Sequence, residues 1–146
     1  MKPGFLLDAN VLIAMAWPTH RAHDRVQEWL ARHAHDGWAT CPLTQTAFVR
    51  ILSNPVFSPN ALTVADALTL LQANLGHPAH RFWPDDATFV QALEPFARRL
   101  TGHQQLTDAY LLGLAIRKKG KLATMDRAVR ALAPDKSREG DFLIVI

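Results

Sequence analysis

The chain lacks most of the features that stabilise secreted proteins or anchor membrane proteins. Cys41 is its only cysteine, so an internal disulfide is impossible and a reducing, cytoplasmic environment is expected. No apolar run approaches the roughly 18–20 residues that a membrane-spanning helix needs. Because residues 1–4 lead directly into a strand-like segment, we expect no signal peptide. No Ser-His-Asp or Cys-His motif is present, and the seven histidines do not form a zinc-like set.

The composition suits one compact domain over residues 1–146. Hydrophobic residues make up 49% of the chain and charged residues 20%, which is ordinary for a globular protein. A domain of this length buries roughly 68–70% of the surface that its unfolded chain exposes. The sequence contains no internal repeat, linker or low-complexity tract, so we expect a single hydrophobic core without further domains.

The formal net charge is +3, and the basic residues are concentrated in the second half of the chain. Clustered bases favour a phosphate-bearing partner, because neutralising phosphates releases condensed counterions. A solvated helix end, where cations interact favourably with the helix dipole, explains residues 117–121 equally well. Ten of the sixteen bases form this group: Arg98, Arg99, Arg117, Lys118, Lys119, Lys121, Arg127, Arg130, Lys136 and Arg138.

Short apolar runs alternate with helical patterns along the whole chain. This alternation predicts an α/β fold with a central parallel sheet of about five strands and helices on both faces. We expect helices to begin at Thr44, Thr63, Asp85-Asp86 and Thr107, which are good N-cap residues. The predicted strands cover residues 5–7, 38–41, 80–83, 121–124 and 142–145.

Three aspartates, far apart in sequence, are expected at one edge of this sheet. Asp8 directly follows the first strand, Asp126 follows the fourth, and Asp108 lies in the first turn of the helix that precedes the fourth strand. Ligands of open parallel sheets bind at the carboxyl ends of the strands, near a topological switch point. Carboxylates that meet there repel one another, and Mg²⁺ or Mn²⁺ would relieve that repulsion.

Each aspartate also has a purely structural explanation. Asp8 and Asp126 would each cap the helix that follows, and Asp108 suits the positive end of a helix dipole. Taken singly, the structural explanation is the better one for each residue. Taken together it weakens, because three uncompensated carboxylates at one edge repel and raise one another's pKa.

The three segments around these aspartates resemble the motifs of PIN-domain ribonucleases, and in particular the VapC-like toxins of type II toxin–antitoxin systems. The resemblance lies in 6-LLDANVLI-13, 106-LTDAYLLGLA-115 and 122-LATMD-126, and their order and spacing match over essentially the whole chain. It implies the strand order 3-2-1-4-5, with the switch point between the first and fourth strands.

The resemblance also implies a Mg²⁺-dependent endoribonuclease with a cognate antitoxin protein as partner, and a homodimer. Asp8 and Asp108 would hold the principal Mg²⁺, with Asp126 bound directly or through water. Thr124 would orient a water or a ligand, and Asn10 would position a carboxylate or a phosphate. The substrate would be single-stranded or looped RNA, whose bases can unstack, and the bases at 98–138 would hold its backbone around the acidic edge.

One position departs from the family pattern. PIN nucleases usually carry a glutamate at the start of the helix after the second strand, where this chain has Gln45. The amide oxygen of Gln45 can bind a metal-coordinated water but adds no charge. Asp86, after the third strand, is a candidate substitute for the missing acid. The departure puts a second metal ion in doubt.

Two other functions stay open. A PIN fold that binds RNA or a protein without cleaving would account for Gln45. A phosphoacceptor signalling module also has an acidic, Mg²⁺-binding sheet edge, and Asp85 or Asp86 could serve as its acceptor. That module would require a lysine at the end of the fifth strand, and this chain has none there.

Overall fold

The computed structural model describes residues 4–133 and 136–146. The segment that bears on a signal peptide, residues 1–3, lies outside these ranges. No helix among the described residues is long and apolar enough to cross a membrane. The strands are β1 (Phe5–Leu7), β2 (Trp38–Thr40), β3 (His80–Phe82), β4 (Lys121–Thr124) and β5 (Leu143–Val145).

Six α-helices are described between these strands, together with 3₁₀ turns at Ala34–Asp36, Glu94–Arg99, His103–Gln105, Arg127–Leu132 and Lys136–Asp141. The helices are α1 (Ala9–Ala16), α2 (His23–His33), α3 (Pro42–Leu52), α4 (Val64–Leu75), α5 (Phe89–Leu93) and α6 (Leu106–Arg117).

The five strands form one parallel sheet in the order β3-β2-β1-β4-β5, which confirms the predicted fold class and strand order. Leu7 of β1 pairs with Ala123 of β4, so the ends of these two strands lie side by side. From β1 the chain continues to β2 on one side of this pair, and from β4 it continues to β5 on the other side. The chain therefore opens a crevice where Asp8 and the residues after Thr124 emerge.

Apolar side chains cover both faces of the sheet, as a buried parallel sheet requires. Alternate residues of β1 point to opposite sides: Leu6 packs in the cluster formed with α5 and α6. Phe5 and Leu7 pack in the second cluster, with the buried residues of helices α1 to α4. The strands are only three or four residues long, yet every side chain of β1 and β2 is buried, whereas the edge strand β3 is partly exposed.

Three of the expected helix starts were wrong. Helix α6 begins at Leu106 after the N-cap residue Gln105, so Thr107 lies inside the helix and does not cap it. Helix α3 begins at Pro42 rather than after Thr44, because proline suits the first helical turn and Cys41 occupies the N-cap. Thr44 instead binds back to Cys41, accepting from its N–H at 3.0 Å. Helix α5 is capped by Thr88, whose hydroxyl accepts from the N–H of Gln91, and not by the two aspartates before it.

Close packing of α6 against α5 depends on Gly113. A Cβ at this position would lie 2.1 Å from the carbonyl oxygen of Ala92, well below any normal contact. We expect Gly113→Ala to lower the free energy of unfolding by about 3 kcal/mol, because α6 must move away from α5. Chemical denaturation measures the loss, with Gly102→Ala as control, since a Cβ there meets nothing within 4 Å. Equal stability of the two variants would contradict this packing.

Candidate active site at the carboxyl edge of the sheet

Asp8 is a buried carboxylate with both oxygens engaged. It caps α1, and its Oδ1 accepts from the backbone N–H of Ala9 at 2.7 Å. Its Oδ2 accepts from the hydroxyl of Thr124 at 2.9 Å. Burial raises the pKa of Asp8, the hydrogen bonds from Thr124 and Ala9 oppose that rise, and the charge of Asp126 adds to it. The carboxylate is thus held in one orientation in a place that disfavours its charge.

Thr124 links Asp8 to the segment that carries Asp126. Its side chain is fully buried at the end of β4. While donating to Asp8, the Thr124 hydroxyl accepts from the backbone N–H of Asp126 at 3.1 Å. Asp126 in turn accepts from the N–H of Ala128 at 2.9 Å and caps the turn Arg127–Leu132. Asp8 and Asp126 are therefore both helix caps and neighbours at one edge, so the two explanations do not compete.

Asp108 completes the acidic group from the first turn of α6. It is half-buried, and its pKa is raised to about 6 by burial and by the charges of Asp8 and Asp126. The structure thus brings all three predicted aspartates within electrostatic reach of one another. They do not touch, however: within residues 4–133 and 136–146, no three Asp, Glu, His or Cys side chains stand close enough to enclose a metal ion.

Gln45 belongs to a series of hydrogen-bonded polar side chains that includes Thr40, the last residue of β2. Its amide nitrogen donates to the hydroxyl of Thr40, a fully buried residue at the end of β2, at 2.9 Å. The same hydroxyl lies 2.8 Å from Nε2 of His80, whose ring also bonds to the carbonyl of Leu75. A ring nitrogen that faces a carbonyl must carry the proton, so Nε2 accepts from Thr40. This polarity leaves the amide oxygen of Gln45 outside the contact with Thr40.

The structure separates Asp86 from the three aspartates and so corrects its expected role. The Asp86 carboxylate is exposed and forms a 2.8 Å ion pair with Lys118, a contact that lowers the pKa of Asp86. Lys118 follows the last turn of α6, about 15 Å along the helix axis from Asp108. Asp86 therefore does not replace the missing acid. Asn10, by contrast, lies in the first exposed turn of α1, two residues after Asp8.

Most of the predicted basic cluster does not surround the acidic edge. The bases at 117–121 lie at the end of α6 and the start of β4, which is the opposite edge of the sheet. Two more are neutralised locally, since Arg130 pairs with Glu139 and Arg138 with Asp141. The side chain of Lys136 lies outside the described part of the chain. For the bases at 117–121, sequence proximity to Asp108 was thus misleading, because α6 carries the chain away from the site.

Two side chains near the site were not identified from the sequence. Thr40 ends β2 as Thr124 ends β4, and this parallel could have indicated it. Arg25 lies on α2, one hundred residues before its contact at Met125. No local pattern marks that contact.

Comparison with known proteins gives consistent similarities. A model of the PIN domain family matches residues 5–134. The chain is 42% identical to Ribonuclease VapC38 of Mycobacterium tuberculosis over 141 residues, which cover 97% of this chain and 98% of that protein. It is 39% identical to Ribonuclease VapC39 of the same species over 124 residues, covering 85% of this chain and 89% of that one.

A solved structure shares the fold. VapBC2 from Rickettsia felis, crystallised with a DNA fragment from its promoter, contains a chain that superposes with a TM-score of 0.63. The match covers 97% of both chains at 11% sequence identity, so it shows similarity of fold alone.

Proposed function

The chain belongs to the PIN-domain family, and from this premise we propose that it is a Mg²⁺-dependent endoribonuclease, the toxin of a toxin–antitoxin pair. One observation carries the proposal: the pKa of Asp108 is raised to about 6 where α6 meets Asp8 and Asp126. Three carboxylates that disfavour one another's charge are better explained by a bound cation than by helix capping alone. The names of the VapC relatives support the same activity.

The donor set suits Mg²⁺ or Mn²⁺ in its chemistry. Asp8, Asp108 and Asp126 offer only hard oxygen ligands. A divalent cation would favour the charged form of Asp108, whose pKa is raised first by burial and then by the charges of Asp8 and Asp126. As the side chains stand in the described residues, the three carboxylates are not closed around a point. Asp8, held by Thr124 and Ala9, would be the fixed member of the set, and Asp108 and Asp126 would be the other carboxylates that hold the ion.

The residues of the chain have distinct parts in phosphodiester hydrolysis. When bound, the metal supplies a water of lowered pKa and neutralises charge on the phosphate. Thr124 fixes the orientation of Asp8 through its hydroxyl, and the amide oxygen of Gln45 is placed to accept a hydrogen bond from a water. Asn10 is exposed beside Asp8, where its amide can donate to a substrate phosphate. An open, exposed edge of this kind suits single-stranded RNA.

Partners follow from the same proposal. The relatives' names and the VapBC2 complex support an antitoxin protein as partner, and we propose a homodimer as the working state. Helix α4 offers a contact surface, since it buries Ala67 and Leu71 but exposes Val64 and Leu68. The one cysteine, Cys41, is buried and unpaired, which suits the cytoplasm as the proposed compartment.

Incubation of the purified protein with total cellular RNA and Mg²⁺ tests the proposed function. We expect discrete cleavage, with cut ends that can be mapped by sequencing, and its complete loss in excess EDTA. Restored cleavage on adding Mg²⁺ or Mn²⁺ back would show that the metal is responsible. Undiminished cleavage by metal-free protein in EDTA would overturn the metal-dependent mechanism.

A PIN fold that binds without cleaving is the second candidate. Two observations favour it: Gln45 stands where the family usually has glutamate, and the three aspartates do not close around a point among the described residues. RNA that is bound but left intact across a range of Mg²⁺ and Mn²⁺ concentrations would select this candidate over the nuclease.

Gln45→Glu is expected to lower the Mg²⁺ concentration needed for half-maximal cleavage. The carboxylate cannot donate to Thr40 as the amide nitrogen of Gln45 does, but it adds the negative charge that the family's glutamate carries here and that Mg²⁺ favours. A Mg²⁺ titration of initial rates measures the change. Thr46→Glu is the matched control, because it adds the same charge one residue away on an exposed position of α3. Identical Mg²⁺ dependence of the two variants would place residue 45 outside the metal environment.

A further inference from the structure

We infer that Arg25 binds a backbone phosphate of the RNA substrate beside Asp126, an inference that rests on the proposed nuclease function. An RNA substrate needs a positive charge near the three carboxylates of the site. Three carboxylates at one sheet edge repel the phosphates that must approach them. A cation close to the acids, and not neutralised by them, would offset that repulsion. The bases at the opposite edge of the sheet are too distant to do this.

Arg25 meets the requirement by position. It is exposed on α2, and its guanidinium donates to Sδ of Met125 at 3.3 Å. Met125 lies between Thr124, which holds Asp8, and Asp126. The long side chain therefore crosses from α2 to the residue at the centre of the acidic segment. The contact thus connects helix α2, on one face of the sheet, with the residue that precedes Asp126.

The nature of the contact keeps the positive charge available. A thioether is a neutral and weak acceptor, so it orients the guanidinium without cancelling its charge. Only one of the five N–H donors of Arg25 is used in this contact. No carboxylate in the described ranges forms an ion pair with Arg25. The remaining donors suit bidentate binding of a phosphate, which is the geometry that arginine favours.

Neighbouring residues strengthen the local positive field. Burial lowers the pKa of His20, and the charges of Arg21, His23 and Arg25 lower it further. Arg21 and Arg25 thus lie close enough to act on one ring at the start of α2. Arg32, farther along the same helix, is different: Glu28 neutralises it at 2.7 Å. Arg32 is therefore the matched control, an exposed arginine of the same helix with its charge already compensated.

The test compares Arg25→Met with Arg32→Met. Methionine keeps an unbranched apolar chain against Met125 but removes the charge. Binding of a fluorescein-labelled single-stranded RNA is measured by anisotropy in EDTA, and cleavage of the same RNA in Mg²⁺. We expect Arg25→Met to weaken RNA binding and raise KM about 10-fold, with a smaller effect on kcat. The slope of log K against log salt should fall by about 0.7, as for one lost phosphate contact on a single strand. Arg25→Lys should recover part of the affinity.

Outcomes separate this inference from the proposed function. Equal affinity and equal salt slope for Arg25→Met and Arg32→Met would overturn the phosphate contact, whether or not the parent cleaves RNA. A parent that binds RNA through Arg25 but never cleaves it would overturn only the nuclease activity. A loss confined to binding of an antitoxin peptide, with RNA affinity unchanged, would also overturn the inference.

Discussion

Replacing Asp8 by asparagine is expected to lower RNA cleavage by about 10³-fold, because a metal ligand at this position contributes several kcal/mol to the transition state. The side chain is buried and both oxygens have partners, so no other group can move into its place. Asparagine keeps the shape and leaves an amide oxygen for the N–H of Ala9. Initial rates on an RNA that the parent cleaves measure the effect.

The control for this loss is Asp66→Asn. Asp66 also lies in the first turn of a helix, but it is exposed on α4 and has no part in the acidic group. Circular dichroism should show that both variants are folded. Cleavage by Asp8→Asn equal to that by Asp66→Asn would mean that Asp8 only caps α1, and the proposed active site would be wrong.

Asp108→Asn is expected to make the metal-free protein more stable at neutral pH. The pKa of Asp108 in the fold is about 6 against an ordinary 3.8, so the folded state resists its ionisation. A raised acid pKa contributes a penalty that is absent below the unfolded pKa and complete above the folded one. Two pKa units correspond to about 3 kcal/mol, which solvent screening at a half-buried group reduces to about 1–2 kcal/mol.

Melting curves in EDTA as a function of pH measure this difference. The variant should exceed the parent near pH 8, and the gap should close as the pH falls from about 6 to about 4. Added Mg²⁺ should stabilise the parent by about 2.7 kcal/mol at a hundredfold excess over Kd, and the variant much less. Asp66→Asn, which loses only a favourable interaction with a helix dipole, should be less stable than the parent by about 0.3–1 kcal/mol.

The opposite pattern would support capping alone. If Asp108→Asn behaves like Asp66→Asn, and Mg²⁺ leaves the parent unchanged, then Asp108 serves only the dipole of α6. A stabilised variant together with a Mg²⁺-responsive parent would instead show that the three carboxylates share one field. The pH dependence separates this electrostatic effect from any change in packing, because asparagine does not titrate.

The sequence predicted the sheet well because its signals are local. Each strand is a short apolar run followed by a polar residue or a turn. Such a run can be recognised from a few neighbouring residues of the sequence. Parallel pairing then follows, since a helix or, between β4 and β5, 3₁₀ turns separate each strand from the next. The positions of Asp8, Asp108 and Asp126 at one edge required only the direction of the strands and of α6. Helix starts were less well predicted, because Pro42 and Thr88 compete with equally good caps nearby.

Side-chain partners could not be predicted in the same way. Asp86 follows β3 as the pattern required, yet its carboxylate reaches Lys118, thirty-two residues later in the chain. The bases at 117–121 lie at or beyond the end of α6 that is far from Asp108, whereas Arg25 reaches Met125 from helix α2. Gln45 departs from the family pattern in sequence, but only its bond to Thr40 shows which end of the amide faces outward.

The sequence alone therefore determined the α/β fold, the strand order implied by its motifs, and the three aspartates at one sheet edge. These depend on apolar periodicity and chain direction, which are properties of short segments. Four features could be seen only in the folded chain: the partner of Asp86, the hydrogen-bond direction of the Gln45 amide, the raised pKa of Asp108 and the contact of Arg25 with Met125. These depend on distances of a few ångströms between residues up to one hundred positions apart, and packing of the layers sets such distances.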